Sequence, residues 1–411
     1  MARASVLPAL LGLPKRPFLA ALAALLALVA LPRLTAAAGP AAGPAAPAGD
    51  AASASGAQDW PTFKGDNARS GRGPAMKLPV RVLWTVRLDG SLYSSPAVQG
   101  SLVVLGSSAK RLFGLDLDTG AERWHAVLPD RVWGSSPALA GGKAYIGCVD
   151  GKVHAIDLKD GSDAGSWSAE RKGMLGGAAV FSSPLVEGSR LVFGSDNHLI
   201  YGFDLAHGGS WSCATGGIVH DNAAAEAGGL VVFPSRDGKA RGLDLATGAL
   251  RWAFDSGKEF NTVPALDARR AYIGNADGRL YAISLADGTK AWSFAAGKGI
   301  MSSPALGADG SVVFGSADHS VYCLDAATGA LRWTFKTGDY VFGSPLITGT
   351  LVWIGSFDGK LYALDLASGQ DRWHMELPGG VFVSPAAAGG ERILAAGRGG
   401  ELVCLQAAPG R

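Results

Sequence analysis

The chain has little of what covalent or redox chemistry needs. Four cysteines in 411 residues, none in a Cys-x-x-Cys pair, give neither a dense disulfide framework nor a dithiol motif. No Gly-x-Ser-x-Gly, His-Glu-x-x-His or phosphate-binding glycine loop is present, so the common hydrolase, metalloprotease and nucleotide-binding signatures are missing. Seven histidines are scattered, and His125 and His374 each follow a tryptophan, which reads as exposure rather than ligation. The aspartate-rich turns lack the spacing of a calcium loop. Charge is sparse and balanced, 37 Lys+Arg against 35 Asp+Glu. Nucleic acid would call for a clustered basic face, which is not there.

Long apolar runs are equally scarce. The single one, residues 18–31, follows Arg3, Lys15 and Arg16 and precedes the small residues Ala36 and Ala38. That is the three-part layout of a secretory signal, expected over 1–38. Fourteen residues fall short of the ~20 that span a bilayer. The expectation is an exported protein, periplasmic or secreted, held at the membrane only if the signal stays on. No cysteine near the cleavage site offers a lipid attachment point. Residues 39–58 are almost entirely Ala, Gly, Pro and Ser, a tether that cannot bury enough side chain to order itself. With the leader set aside, 33 basic residues face 35 acidic ones.

What is abundant is glycine, 59 residues, and a repeat. Residues 355–373 read GSFDGKLYALDLASGQDRW: a strand end, an Asp-Gly turn, an alternating strand, a second turn and a tryptophan. The unit returns along the body with Trp84, Trp124, Trp167, Trp211, Trp252, Trp292, Trp333 and Trp373 at intervals of 40, 43, 44, 41, 40, 41 and 40 residues. Each unit divides into four short strands, in the seventh 341–347, 350–356, 360–366 and 370–376. Four antiparallel strands every 40 to 44 residues make a propeller blade. The expected fold is all-β, an eight-bladed propeller over 59–411 with a lead-in at 59–79 in which Trp60 packs on the body. Trp84 has no turn motif before it, and the last unit stops without a tryptophan. Residues 81–87 are therefore expected to close the eighth blade beside 401–406, removing the free edges. Cys148, Cys213, Cys323 and Cys404 fall in separate units and read as buried small residues.

The strings ALDLASGQDRW (363–373), GLDLATGALRW (242–252) and CLDAATGALRW (323–333) resemble the docking motif of the pyrroloquinoline quinone-like, quinoprotein-type propellers. The resemblance covers roughly residues 80–406. It implies that the eight tryptophans wedge between blades. It also implies that Asp116, Asp157, Asp204, Asp244, Asp325 and Asp365, with Gly120, Gly161, Gly208, Gly248, Gly288, Gly329 and Gly369, shape the preceding turns. Ser284 and Gln406 stand where two units should have Asp, which implies weaker junctions there. The family includes quinone-dependent dehydrogenases, but those carry long insertions, a Glu-Asn-Asp calcium set and, in the alcohol dehydrogenases, adjacent cysteines. This chain has none of the three. Pyrroloquinoline quinone with calcium is thus the alternative, and no cofactor, metal or catalytic residue the main reading. The chain is more similar to non-catalytic eight-bladed propellers of the bacterial envelope, among them those of outer-membrane β-barrel assembly. That implies a monomeric scaffold for envelope proteins or peptide clients; a cell-surface ligand-recognition module fits as well.

One face should collect the blade-to-blade loops and the turns between second and third strands. At the start of the inner strands stand Tyr93, Trp133, Phe181, His220, Asn261, Met301, Phe342 and Phe382. They either seal the core, as large apolar side chains usually do, or form a docking ring for an extended peptide or flat cofactor. Asp150, Asp196, Asp237, Asp277, Asp318 and Asp358 make an acidic rim on that face, or simply make turns before glycine. The rhythm breaks at 170–177 and 219–229, a sector where specificity or mere loop drift would sit.

Overall fold

The computed structural model describes residues 59–169, 178–220 and 223–408. The expected leader, the tether and the 170–177 loop lie outside them. Regular structure in the described residues is all β. It forms eight separate sheets, six of them built only from strands consecutive in the chain. In the seventh blade the strands are Leu346–Thr348, Leu351–Gly355, Lys360–Asp365 and Asp371–Glu376. The second and third read as continuous apolar runs because neighbouring blades cover both of their faces, and every residue of Leu351–Gly355 is buried. The outer strand alternates, with Arg372 exposed and Trp373 half-buried.

The inner strand is three residues long, not the seven expected. Its first half makes no ladder bonds. Its amides are held instead by serine hydroxyls of the next blade: Ser95 N donates to Ser136 Oγ, Ser136 N to Ser183 Oγ, Ser303 N to Ser344 Oγ, Ser344 N to Ser384 Oγ and Ser384 N to Ser95 Oγ, at 2.9–3.2 Å. Val263 N joins the circle through Ser303 Oγ. A buried amide needs a partner, and the serine of a repeated Ser-Pro supplies it at six of the eight blade boundaries.

The eighth blade is Ala386–Ala388, Arg392–Ala396, Glu401–Ala407 and, from the other end of the chain, Val80–Arg87. Arg81 pairs with Gln406 and Arg87 with Glu401, the expected closure. Between blades, the indole N–H of Trp84, Trp124, Trp211, Trp252, Trp292 and Trp333 donates to Leu117, Leu158, Leu245, Leu285, Ala326 and Leu366 carbonyls at 2.8–3.1 Å. Each acceptor belongs to the following blade. The Trp252 bond is as short as the others although Ser284 replaces Asp there; Asp287 braces that turn through Thr289. Three cysteines are buried as expected, but Cys213 is half-buried, because it sits on an alternating outer strand.

The lead-in does more than rest on the body. Trp60 exchanges two backbone bonds with Val98 of the first blade, and Pro61 accepts from Leu139 of the second. Asn67 bonds Val186 of the third through its side chain and accepts from Glu226 of the fourth. Ala68, Ser70 and Gly71 then accept from Leu266, Leu306 and Ile347 of the fifth, sixth and seventh. Arg72–Gly73 ends as a parallel fifth strand on the seventh blade. The segment thus visits seven inner strands in order, at the ends next to the turns into the second strands, and caps that end of the central channel.

Candidate functional site

Since the lead-in closes one end, the channel opens on the other, where the blade-to-blade loops and the turns between second and third strands lie. A cavity there is floored by Phe63 of the lead-in, belted by the serines of the hydroxyl circle, and framed at its mouth by Tyr93, Asn261, Met301, Phe342 and Phe382. Five of the eight expected ring positions line it. Trp133, Phe181 and His220 stand just outside, Trp133 stacked on Tyr93 at 4.1 Å and Phe181 against His220 at 4.1 Å.

None of the eight is buried, and Trp133 is 36% exposed. The tendency of large side chains to be core therefore fails here, and the reason is a shift of one residue. The position just before each, Leu92, Val132, Val180, Val219, Phe260, Ile300, Val341 and Val381, is the one that is fully buried. Several of these side chains lie over a glycine that ends a second strand: a Cβ on Gly355 would fall 2.2 Å from Val381. Backbone alternation points the next residue to the mouth. The signal was present in the sequence, because that preceding position is apolar in every blade while the ring position admits His and Asn.

The ring continues into an aromatic arc. His319, Tyr340, Phe342, Phe357, Phe382, Tyr93 and Trp133 follow one another at centroid distances of 4.1–6.0 Å. Tyr340 is 40% exposed. Two guanidinium groups cap the arc: Arg131 lies 5.4 Å over Trp133, and Arg398 lies 5.6 Å over Tyr93 and 5.5 Å over Phe357. Planar cations over aromatic faces stiffen such a surface while leaving donors for a partner. Arg131, Tyr340, Phe357 and Arg398 were not legible as site residues, since each sits in a different loop.

Half of the acidic rim is committed to structure. Asp237, Asp318 and Asp358 accept from the amides of Gly216, Gly297 and Gly338 in the loops entering their own blades, at 2.7–2.8 Å. They also accept from the side chains of Arg241, Tyr322 and Tyr362 respectively. Asp196 is not the counterpart of these residues; Asn197 takes that turn position and bonds Tyr201, while Asp196 pairs with His220 at 3.0 Å. The break at 219–229 is no protruding loop in its described residues: Ala223, Ala224 and Ala225 are fully buried. Ala223, two residues before the inner strand, lacks the hydroxyl of its serine counterparts, and beside it Arg69 of the lead-in, itself buried, reaches the carbonyls of Ala224 and Pro184.

The cavity's chemistry does not match a tricarboxylate quinone held by calcium. Among the described residues no carboxylate, lysine or arginine lines it, and the hydroxyls of its belt already accept backbone amides. Lys64 and Arg69 turn to main-chain carbonyls. Hard cations need several oxygen donors, and quinone carboxylates need cations.

A ring of eight near-minimal blades, closed by its own N-terminal strand and open at one mouth, defines an eight-bladed quinoprotein-type propeller. The family model described as outer membrane protein assembly factor BamB matches residues 79–226, 210–304 and 276–411, and the chain belongs to that family. Proteins named outer membrane protein assembly factor BamB are similar in part: that of Shewanella oneidensis is 34% identical over 139 residues, 31% of this chain and 34% of its own. That of Xanthomonas campestris is 32% identical over 120 residues, 29% of this chain and 28% of its own. The chain thus spans about a third of the length of these curated relatives. The crystal structure of BamB from Moraxella catarrhalis has a TM-score of 0.67 at 18% identity, covering 80% of this chain and all of that one. A quinohemoprotein alcohol dehydrogenase from Comamonas testosteroni has a TM-score of 0.74 at 14% identity, covering 87% and 83%. At these identities both likenesses are of fold alone.

Proposed function

We propose that the protein is a non-catalytic, exported scaffold for outer-membrane protein assembly that holds an envelope protein or an extended client segment across its aromatic mouth. The observation that carries this reading is the exposure of the arc: aromatic side chains stand part-exposed around a closed-bottomed cavity while their immediate neighbours supply the packing. Aromatic and Arg residues are the usual anchors of protein interfaces. Membership in the assembly-factor family supports the partner class. Among the described residues no helix is long and apolar enough to cross a membrane.

The test replaces Trp133 and Phe342 together by Ala. Because neither is core, the melting midpoint should stay within about 2 °C of the parent. Crosslinking in whole cells followed by mass spectrometry should recover outer-membrane assembly subunits with the parent and lose most of them with the variant. Undiminished capture by the variant would remove the arc from the interface, and recovery of unrelated partners by the parent would remove the assembly role.

A further inference from the structure

The second blade departs from its repeat at two linked positions. In the sixth and seventh blades Ser316 or Ser356 stands two residues before the turn aspartate, Asp318 or Asp358, and the third strand sends Tyr322 or Tyr362 back to that Asp. Four blades have Tyr at that last position and five have Ser at the first. In the second blade the three are Cys148, Asp150 and His154. Their donor atoms, one thiol sulfur, one carboxylate oxygen and one imidazole nitrogen, all lie within 4.8 Å of one another. Cys148 is fully buried, His154 is 7% exposed, and His154 Nε2 stands 2.9 Å from Asp150 Oδ2. It is the only such grouping of three His, Cys, Asp or Glu ligand atoms among the described residues.

We infer that Cys148, Asp150 and His154 form a binding site for a divalent transition-metal ion, with Zn²⁺ as the fitting occupant. A tetrahedral Zn²⁺ with bonds of about 2.0–2.3 Å holds its ligand atoms roughly 3.3–3.8 Å apart, a small rearrangement from the observed spacing. Sulfur and imidazole together select the borderline metals over calcium or magnesium. Asp150 Oδ1 is engaged with the amide of Lys152, which orients Oδ2 toward the site as an outer support. On binding, the Cys148 S–H gives its proton to solvent as the Zn–S bond forms, and the fourth position takes water. Cys148 Sγ also lies 3.2 Å from the carbonyl of Asp130, in the loop that carries Arg131 and Trp133, so the ion would anchor that end of the aromatic arc.

The repeat provides its own controls, since Cys148→Ser and His154→Tyr restore what other blades contain and should fold. Tag-free protein, dialysed against a chelator, is titrated with Co²⁺ and then Zn²⁺. The parent should show thiolate-to-cobalt absorption near the ultraviolet edge saturating at one equivalent, displaced by Zn²⁺, and Zn²⁺ should raise its melting midpoint. Both variants should lose the band and the shift. Absence of the band from the parent, or its persistence in Cys148→Ser, would overturn the site.

Discussion

Trp124, Trp211 and Trp252 fit between blades only because glycine lies on both sides of them. A Cβ on Gly114 would come 2.2 Å from the Trp124 ring, and one on Gly161, in the next blade's turn at φ 76°, 2.9 Å from it. The turns that carry the latter glycines are set by aspartates. Asp116, Asp244 and Asp325 each accept from an Arg beside the following tryptophan and from a Thr in the turn. The Arg hydrogen bond first, and the Thr bonds after it, hold these carboxyls at about 2. A carboxyl lowered below its unfolded value of about 3.9 contributes stability that is complete above that value and lost as pH falls through 2. The urea midpoint should therefore drop between pH 5 and pH 2, and Asn at all three positions should flatten the drop by a measurable fraction. These groups are partly exposed, so the effect is an increment on the slope rather than an unfolding switch.

At the scale of elements, the lead-in is the segment whose role the sequence hid. Its residues 59–73 have no apolar period, because its bonds go to seven different strands and its side chains alternate between the axis and the rim. Lys64 is fully buried there, and burial lowers its ammonium to about 7, with Asp66 only partly opposing. The unfolded chain then binds more protons than the folded one between pH 7 and 10, so stability should rise with pH across that window. Comparing melting midpoints at pH 7 and 9 should show this rise in the parent and its loss in Lys64→Met; an equal rise in both would place the ammonium in water. By contrast, the blades were readable because the same signals recur: a tryptophan on each outer strand, a turn glycine before that strand in seven blades, and Asp-Gly in four of the turns between second and third strands. The site was half readable. Periodicity pointed to the ring positions, but burial statistics favoured the wrong member of each pair. Cys148 and His154 gave no signal singly; they stand out only when the turn of one blade is laid on the turns of the others.

For the whole molecule, everything depends on one strand from the far end of the chain. Without Val80–Arg87, the eighth blade would expose Glu401–Ala407 as an edge, and residues 402–405 of that strand, Leu-Val-Cys-Leu, are buried. An apolar edge of that kind recruits other chains. Ala407 pairs with Val80 in antiparallel register, and the amide of Ala408 donates to the carbonyl of Pro79. The chain's last strand thus ends where the closing strand begins, at the distance a tight hairpin spans. A protein starting at Asp89 should elute as oligomers or precipitate. The same protein carrying residues 80–87 after a two-residue Asn-Gly turn at position 408 should return to a monomer with a cooperative melt, although both lack the lead-in. If the truncated chain is monomeric and melts like the permuted one, closure is not what holds the ring, and the indole wedges alone must suffice.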